Sequence, residues 1–518
     1  FMHDELKDKF IQNIINTVDH YDSYTSISEE LIYSLLKSFT DTQNSNLSIK
    51  DVDGIDEVIE FILHEFQNKS DKLSLCLIYI FSTIKSPKKQ NKFKRDFLKS
   101  LFSNIPEEDF LGVYTMLMYM YSNELELYKD FLDFIFDNEY WDLSNEIKIE
   151  YIYKSWALSM QNFHNNDSMK FAYEEIKKIF YKAIELRETD VAFWLYYTPL
   201  MLFSGNRSTK MLENNLEFKN DIEDILEKYI LEYLVPKYKL IPNDKLNKNN
   251  KKKKIAFVMQ RIVRHSTMNV FYSLVKSLMK EKNTEYEFII YDMSFAESEG
   301  SDEKYVQEFK DLGIQYINLH KEFYGNSKKP TYSLFEKSLK IREKLIHDSI
   351  DVLIGLHSRV EYMFLYATRT CSTQIYWYHG SNADYNVSGI DKRIAHGGIA
   401  ENSYFKFSNF GMPIDIKKYN PEVDIKEIKK IKDNFPSNSF ILGTIGRLIK
   451  VDSDEFLETI ATIMKQNPNT IYLACGSGDK NSIQKKVAKL GISDRFYFTG
   501  HVDPHIYGHV IDLWLETF

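Results

Sequence analysis

Cysteine is the first scarcity. Cys76, Cys371 and Cys475 are the three in 518 residues, far apart and without C-x-x-C spacing. That excludes a disulfide framework and a cysteine zinc site, and it fits a reducing cytoplasm. No run reaches the roughly 18 apolar residues of a membrane span, and no signal peptide is visible. Net charge is −9 with pI ≈ 5.9, which disfavours nucleic-acid binding by bulk charge. No D-x-D lies between apolar strand residues, and no spaced carboxylates suggest a magnesium site. Glycine numbers 19 and proline 11, and glycine is nearly absent before residue 240.

Hydrophobic residues make up 43%, charged residues 27% and aromatics 15%, the composition of a soluble globular protein. A chain this long exceeds one core, so two or three domains are expected. Residues 1–241 form an all-helical domain by periodicity. Leu31–Phe39, Ile55–Glu65, Leu75–Ile84, Phe110–Tyr121, Ile147–Gln161 and Ser168–Leu186 repeat apolar residues at i, i+3, i+4 and i+7. The pair FAYEEIKKIFYKAIEL and VAFWLYYTPLMLF suggests stacked, tetratricopeptide-like hairpins, although no clean period of about 34 residues emerges. The aromatic stripes are those of helix–helix cores.

Residues 242–254, PNDKLNKNNKKKK, read as a solvated linker. Strands then alternate with helices, which indicates an α/β fold with a parallel sheet over 255–412. Apolar runs at 255–259, 286–293, 316–319, 351–357 and 372–380 mark its strands. Shorter ones are expected at 392–397 and 408–411. A connector, 413–436, leads to a second α/β domain, 437–518, with strands at 440–446, 470–476, 495–500 and 511–518. The chain opens with Phe1 before Met2 and stops at Phe518 just after an apolar run. This suggests a fragment lacking C-terminal material.

Ligands of open α/β sheets bind beyond the carboxyl ends of strands. In the first domain those positions hold Arg261, Arg264, His265 and Asn269, then Asp292, Ser294 and Glu297, then His357, then His379, Gly380, Ser381, Asn382 and Asp384. In the second they hold Arg447, Lys450, Gly476, Gly478 and His501. Two such domains facing across a cleft suit a nucleotide-bound donor and an acceptor. The stretch ILGTIGRLIKVD (441–452) reads as strand, glycine turn, two cations and helix. Backbone N–H groups, the helix end, Arg447 and Lys450 are expected to meet a diphosphate there. The bland reading is an ordinary strand–helix turn with surface cations. A neutral His265 could take a proton from an acceptor, cap the following helix or bind a phosphate. His379 precedes a glycine, where backbone can approach a ligand closely. Asp384 and Asp391 could orient a hydroxyl, though turn and cap roles suit them better.

The second domain, with GTIGRLIKVDSDEFLETIATIMKQNPNTIYLACGSGD and GISDRFYFTGHV, resembles the donor half of a GT-B glycosyltransferase. In that family a G-R-L-x-x-K or Q-L-x-K-x-x segment places an Arg or Gln and a Lys on the donor diphosphate, and Arg447 and Lys450 resemble that pair. GRLIKVDSD, CSTQIYWYHGSNADYNVSGIDKRIA and RHSTMN are similar to the branch containing O-GlcNAc transferase and the bacterial adhesin N-glucosyltransferases. That branch also carries a helical domain before its GT-B core. The sequence departs from it in lacking proline after Gly380 and in placing Asn269 where a second histidine often stands. It also ends before the P-x-x-G-G-type loop, so the resemblance implies that part of the donor site is missing.

The resemblance implies a metal-independent Leloir transferase that moves a hexose or N-acetylhexosamine from a UDP-sugar to a bacterial cytoplasmic protein, adhesin or flagellin-like. Inversion is the family expectation. Arg447, Lys450, Gly476, Gly478 and His501 would bind the donor, and His265 and His379 would be the catalytic candidates. Two alternatives stay open: a GT-B enzyme of surface polysaccharide or glycolipid synthesis, and a non-catalytic helical scaffold with a degenerate α/β part. Donor sugar, acceptor atom and oligomeric state are not legible.

Overall fold

The computed structural model describes residues 135–152, 166–197, 216–244, 251–281, 285–293, 300–325, 333–356, 359–379, 385–396, 405–478 and 480–516, with isolated helical positions besides. The helices expected at 31–39, 55–65, 75–84 and 110–121 fall outside these apart from single residues. So does the repetition that tetratricopeptide character requires. Two compact units emerge, one of residues 1–268 and 275–412, the other of 269–274 and 413–518.

In the first unit, seven parallel strands take the order β3-β2-β1-β4-β5-β6-β7. They are β1 (Lys253–Met259), β2 (Tyr286–Asp292), β3 (Gln315–Asn318), β4 (Val352–Gly355), β5 (Thr373–Tyr378), β6 (Lys392–Ala395) and β7 (Ser408–Asn409). β1 begins inside the Lys/Asn-rich segment read as linker. Its lysines pair in register with β2, Lys253 with Tyr286 and Lys254 with Glu287. The inner half of β1, Ala256–Met259, is wholly buried, as the continuous apolar run of a covered parallel strand demands.

The helical stretch shares its core with this sheet. Helix α1 (Asn166–Glu185) precedes α2 (Thr189–Leu195), whose Phe193 ring meets Phe335 edge-on at 5.9 Å. Phe335 in turn meets Phe364 at 5.7 Å and 90°. A longer helix, α3 (residues 219–238), contains two π-turns, Lys219–Glu223 and Ile230–Leu234. Helices α4 (Ser266–Lys280), α5 (Glu303–Asp311), α6 (Leu319–Tyr324), α7 (Leu334–His347) and α8 (Val360–Ala367) alternate with the strands.

The joint between the helical stretch and the sheet is polar as well as aromatic. Glu361, fully buried in the first turn of α8, takes Lys337 Nζ at 2.9 Å and Arg359 Nη2 at 3.0 Å on one oxygen. Its other oxygen accepts Tyr197 O–H at 2.6 Å. Arg359 also lies over the Tyr197 ring at 4.8 Å.

The second unit holds β8 (Phe440–Ile445), β9 (Thr470–Cys475), β10 (Phe496–Gly500) and β11 (Leu513–Trp514), parallel in the order β10-β9-β8-β11. Helices α9 (Ile416–Tyr419) and α10 (Ile425–Lys432) precede β8, and α11 (Asp454–Gln466), α12 (Asn481–Lys489) and α13 (Pro504–Val510) run between the strands. β9 is buried along its whole length. Arg495 closes the carboxyl end of α11, where Nη1 donates to Met464 O at 2.8 Å and Pro468 O at 2.9 Å. Arg495→Ala should destabilise this unit by about 1.5–3 kcal/mol, the scale of charge-assisted bonds to orphan carbonyls. Urea unfolding checks it, and a loss below a few tenths of a kcal/mol would contradict the assignment.

Candidate functional site

The loop after β1 is held from beneath. Asp292, fully buried at the end of β2, accepts Ser301 O–H and Tyr316 O–H, each at 2.6 Å. Ser301 Oγ accepts Ile262 N–H at 2.8 Å. Asp292 therefore supports the loop through Oδ2. Arg264 is engaged too, paired with Glu308 and lying over Tyr305 at 5.1 Å.

His265 is the N-cap of α4, and its Nδ1 accepts Met268 N–H at 3.4 Å. Burial, helped by Arg261, lowers its pKa, so the ring is held neutral. A neutral imidazole accepting at Nδ1 carries its proton on Nε2. The lone pair a general base would use is the one spent on the cap, and the free side of the ring is a donor.

His379 directly follows β5, half-buried, with its ring 4.4 Å from Trp377 and 4.8 Å from His396. Trp377 Nε1 donates to His396 Nδ1 at 3.0 Å. Indole is donor-only, so His396 presents its proton on Nε2, and burial lowers its pKa. Phe410, just past β7, closes the cluster at 5.6 Å from Trp377. His396 was not among the sequence candidates. The register pairs Tyr378 with Ala395, so the histidine following each strand falls beside the other. A His-Gly after two successive apolar runs was the available signal.

Residues 389–391, which lead into β6, are fixed by motif residues. Gln374 accepts Thr370 N–H at 2.9 Å and donates to Tyr366 O at 2.9 Å and Gly389 O at 2.8 Å. Asp391 accepts Gln374 N–H at 2.8 Å and Arg369 Nη1 at 2.7 Å. Asp391 is therefore structural. Ser294, Glu297, His357, Gly380, Ser381, Asn382 and Asp384 lie outside the described residues.

In the second unit the candidates gather at the carboxyl ends of three adjacent strands. Arg447 and Lys450 follow β8, Gly476 and Gly478 follow β9, and His501 follows β10. Arg447 and Lys450 are exposed, and neither forms an ion pair with another described residue. The N–H groups expected to face an anion are otherwise spent. Gly446 N–H donates to Cys475 O at 2.8 Å and Leu448 N–H to Ser477 O at 3.0 Å. Lys450 and Val451 N–H close a short 3₁₀ turn on Arg447 O and Leu448 O. Helix α11 opens with Asp454 and Glu455, which offset its positive end. An anion at this strand end would rest on the two cationic side chains.

Gly476 and Gly478 serve the packing of these loops. A Cβ on Gly476 would stand 1.7 Å from Gly446 O, and one on Gly478 would stand 3.0 Å from Leu448 Cβ. Asp452, in the Lys-x-Asp ending, accepts Ser482 O–H at 3.1 Å and Lys486 Nζ at 2.9 Å, tying the turn to α12. His501 is exposed. No group of three or more metal-ligating side chains occurs among the described residues, and among them no helix is long and apolar enough to cross a membrane.

No protein-family model matches this chain, and no curated protein does. Among solved structures it is similar to an O-GlcNAc transferase variant of Thermobaculum terrenum, at 14% identity and a TM-score of 0.42, covering 89% of this chain and 78% of that one. A glycosyltransferase from Rickettsia africae matches at 15% identity and TM-score 0.37, over 52% of this chain and 73% of that one. HepE of Anabaena, solved with UDP and glucose, matches at 14% and 0.35, over 51% and 74%.

Proposed function

We propose that this chain is a glycosyltransferase that moves a sugar from a UDP-sugar to a protein acceptor. The observation that carries the reading is the pair Arg447 and Lys450. Both are exposed beyond β8, without ion-pair partners among the described residues, three positions apart in the segment GRLIK. Two cations without carboxylate partners beside a strand end suit a diphosphate, whose charge they offset without calling on a metal. Gly476 and Gly478 keep the neighbouring loop against them, and His501 stands at the next strand end for the nucleoside.

The acceptor side belongs to the first unit. His379 is the proton acceptor in this reading, while His265 donates from Nε2 to a substrate oxygen. The bond from the anomeric carbon to the diphosphate oxygen breaks, and the acceptor nitrogen or oxygen bonds to that carbon. The acceptor's proton passes to His379, and UDP leaves from Arg447 and Lys450.

Lys450→Ala should weaken UDP binding by about 1.5–3 kcal/mol, the scale of one charge-assisted contact, measured by calorimetry on the full chain. Unchanged affinity would sink the diphosphate seat. Intact mass of co-expressed acceptor proteins tests the reaction, with a hexose or N-acetylhexosamine increment expected. Label found on lipid instead would move the reading to glycolipid synthesis.

A further inference from the structure

The helix α3 directs three carboxylates at a segment some 160 residues away in sequence. Glu223 accepts Asn386 N–H at 3.1 Å, and Asp224 accepts the Asn386 side-chain amide at 3.1 Å. Glu227 accepts Ser388 N–H at 2.8 Å and Ser388 O–H at 2.6 Å. From the opposite side, Arg393 donates to Tyr385 O at 3.4 Å and Val387 O at 3.3 Å. Two alternate peptide planes, 385–386 and 387–388, are thus held at both edges, N–H by the helix and C=O by β6.

This arrangement is costly. Glu223 is 3% and Glu227 8% exposed, and the nearby Lys219 is paired with Asp224 at 2.6 Å. A buried carboxylate costs several kcal/mol unless hydrogen bonds replace its water. Apolar residues would make a cheaper packing contact, whereas carboxylates make a directional one. Burial raises the Glu223 pKa to about 8, which reports the same desolvation.

We propose that Glu223 and Glu227 are positioning residues for the acceptor side. They act through residues 385–388 and Arg393 of β6, so that His396, which follows β6, keeps its place beside His379. The proposal rests on the acceptor-side reading of His379. Through it the helical stretch becomes part of the site's framework.

The test uses the full chain with Glu227→Ala and Glu227→Gln. Amide hydrogen exchange across 385–391 and ¹⁵N-histidine spectra are recorded, the latter assigned with His379→Gln and His396→Gln. Glu227→Ala should speed exchange in that segment by about tenfold or more, the equivalent of about 1.4 kcal/mol, and shift the His379 and His396 signals. Glu227→Gln keeps an acceptor oxygen and should restore both. Faster exchange with unmoved histidine signals would reduce the clamp to a local staple and overturn the proposal, as would no change in either. Should Glu227→Ala fail to fold, Ser388→Ala removes one of the same bonds and carries the same expectations at smaller size. UDP affinity should stay unchanged in every clamp variant. Its response to Lys450→Ala therefore decides the transferase reading separately.

Discussion

Glu361→Ala is expected to cost the first unit about 3–5 kcal/mol, the range for removing one partner of a buried ion pair. The carboxylate is 0% exposed, and Lys337 is 1% exposed beside it. Removing Glu361 leaves two desolvated cations, Lys337 and Arg359, and the Tyr197 hydroxyl without the acceptor they share. Loss of side-chain volume alone would cost less. The pair Glu361→Gln and Lys337→Met separates the terms, because together they lower the charge on both sides and should recover part of the loss. Urea unfolding followed by near-ultraviolet circular dichroism reads the effect. A cost under about 1 kcal/mol would mean that the cations find water or other partners.

The same site predicts an acid limb. Arg359 first, then Lys337, hold the Glu361 carboxyl well below the usual carboxylate range. A depressed folded pKa stabilises the fold above the unfolded value, about pH 4.3, and this contribution is lost as pH falls further. Glu361→Gln should flatten that limb.

Gly476→Ala is the second large effect, and it falls on the other unit. Its Cβ would lie 1.7 Å from Gly446 O at a φ of +156°, so backbone must move. We expect at least about 2 kcal/mol of destabilisation, strain plus a broken loop contact. UDP affinity should also fall, because Gly446 precedes Arg447 and carries it along. Gly500→Ala is the control. Its φ is +76° but nothing lies within 4 Å of the added carbon, so dihedral strain alone should cost about 1 kcal/mol. Equal costs for the two variants would show that the close approach to Gly446 carries no weight.

The longer strands β1, β2, β5, β8 and β9 were legible because each carries an apolar run bounded by polar or glycine residues, a pattern set by near neighbours in the chain. Helices α7, α8, α11 and α12 were legible from i, i+3 and i+4 spacing. The strand order and the shared core of the helical stretch and sheet were not, since local periodicity does not name a partner. Glu223 and Glu227 look like the solvated face of an amphipathic helix until Asn386 and Ser388 are placed against them. Glu361 looks like an ordinary acidic residue in a first helical turn, yet it is the centre of a buried network.

The strand-end residues divide the same way. Their types and their positions after apolar runs were set by the sequence, including the cations Arg447 and Lys450. Tertiary structure decided which of them remain available. It spent the His265 Nδ1 lone pair on a cap, Asp292 on a loop support and the N–H groups of Gly446 and Leu448 on the β9 loop. It also set His396 beside His379. The physical reason is that a chain's local pattern fixes where a polar group sits along an element, while only packing determines what satisfies it once water is gone.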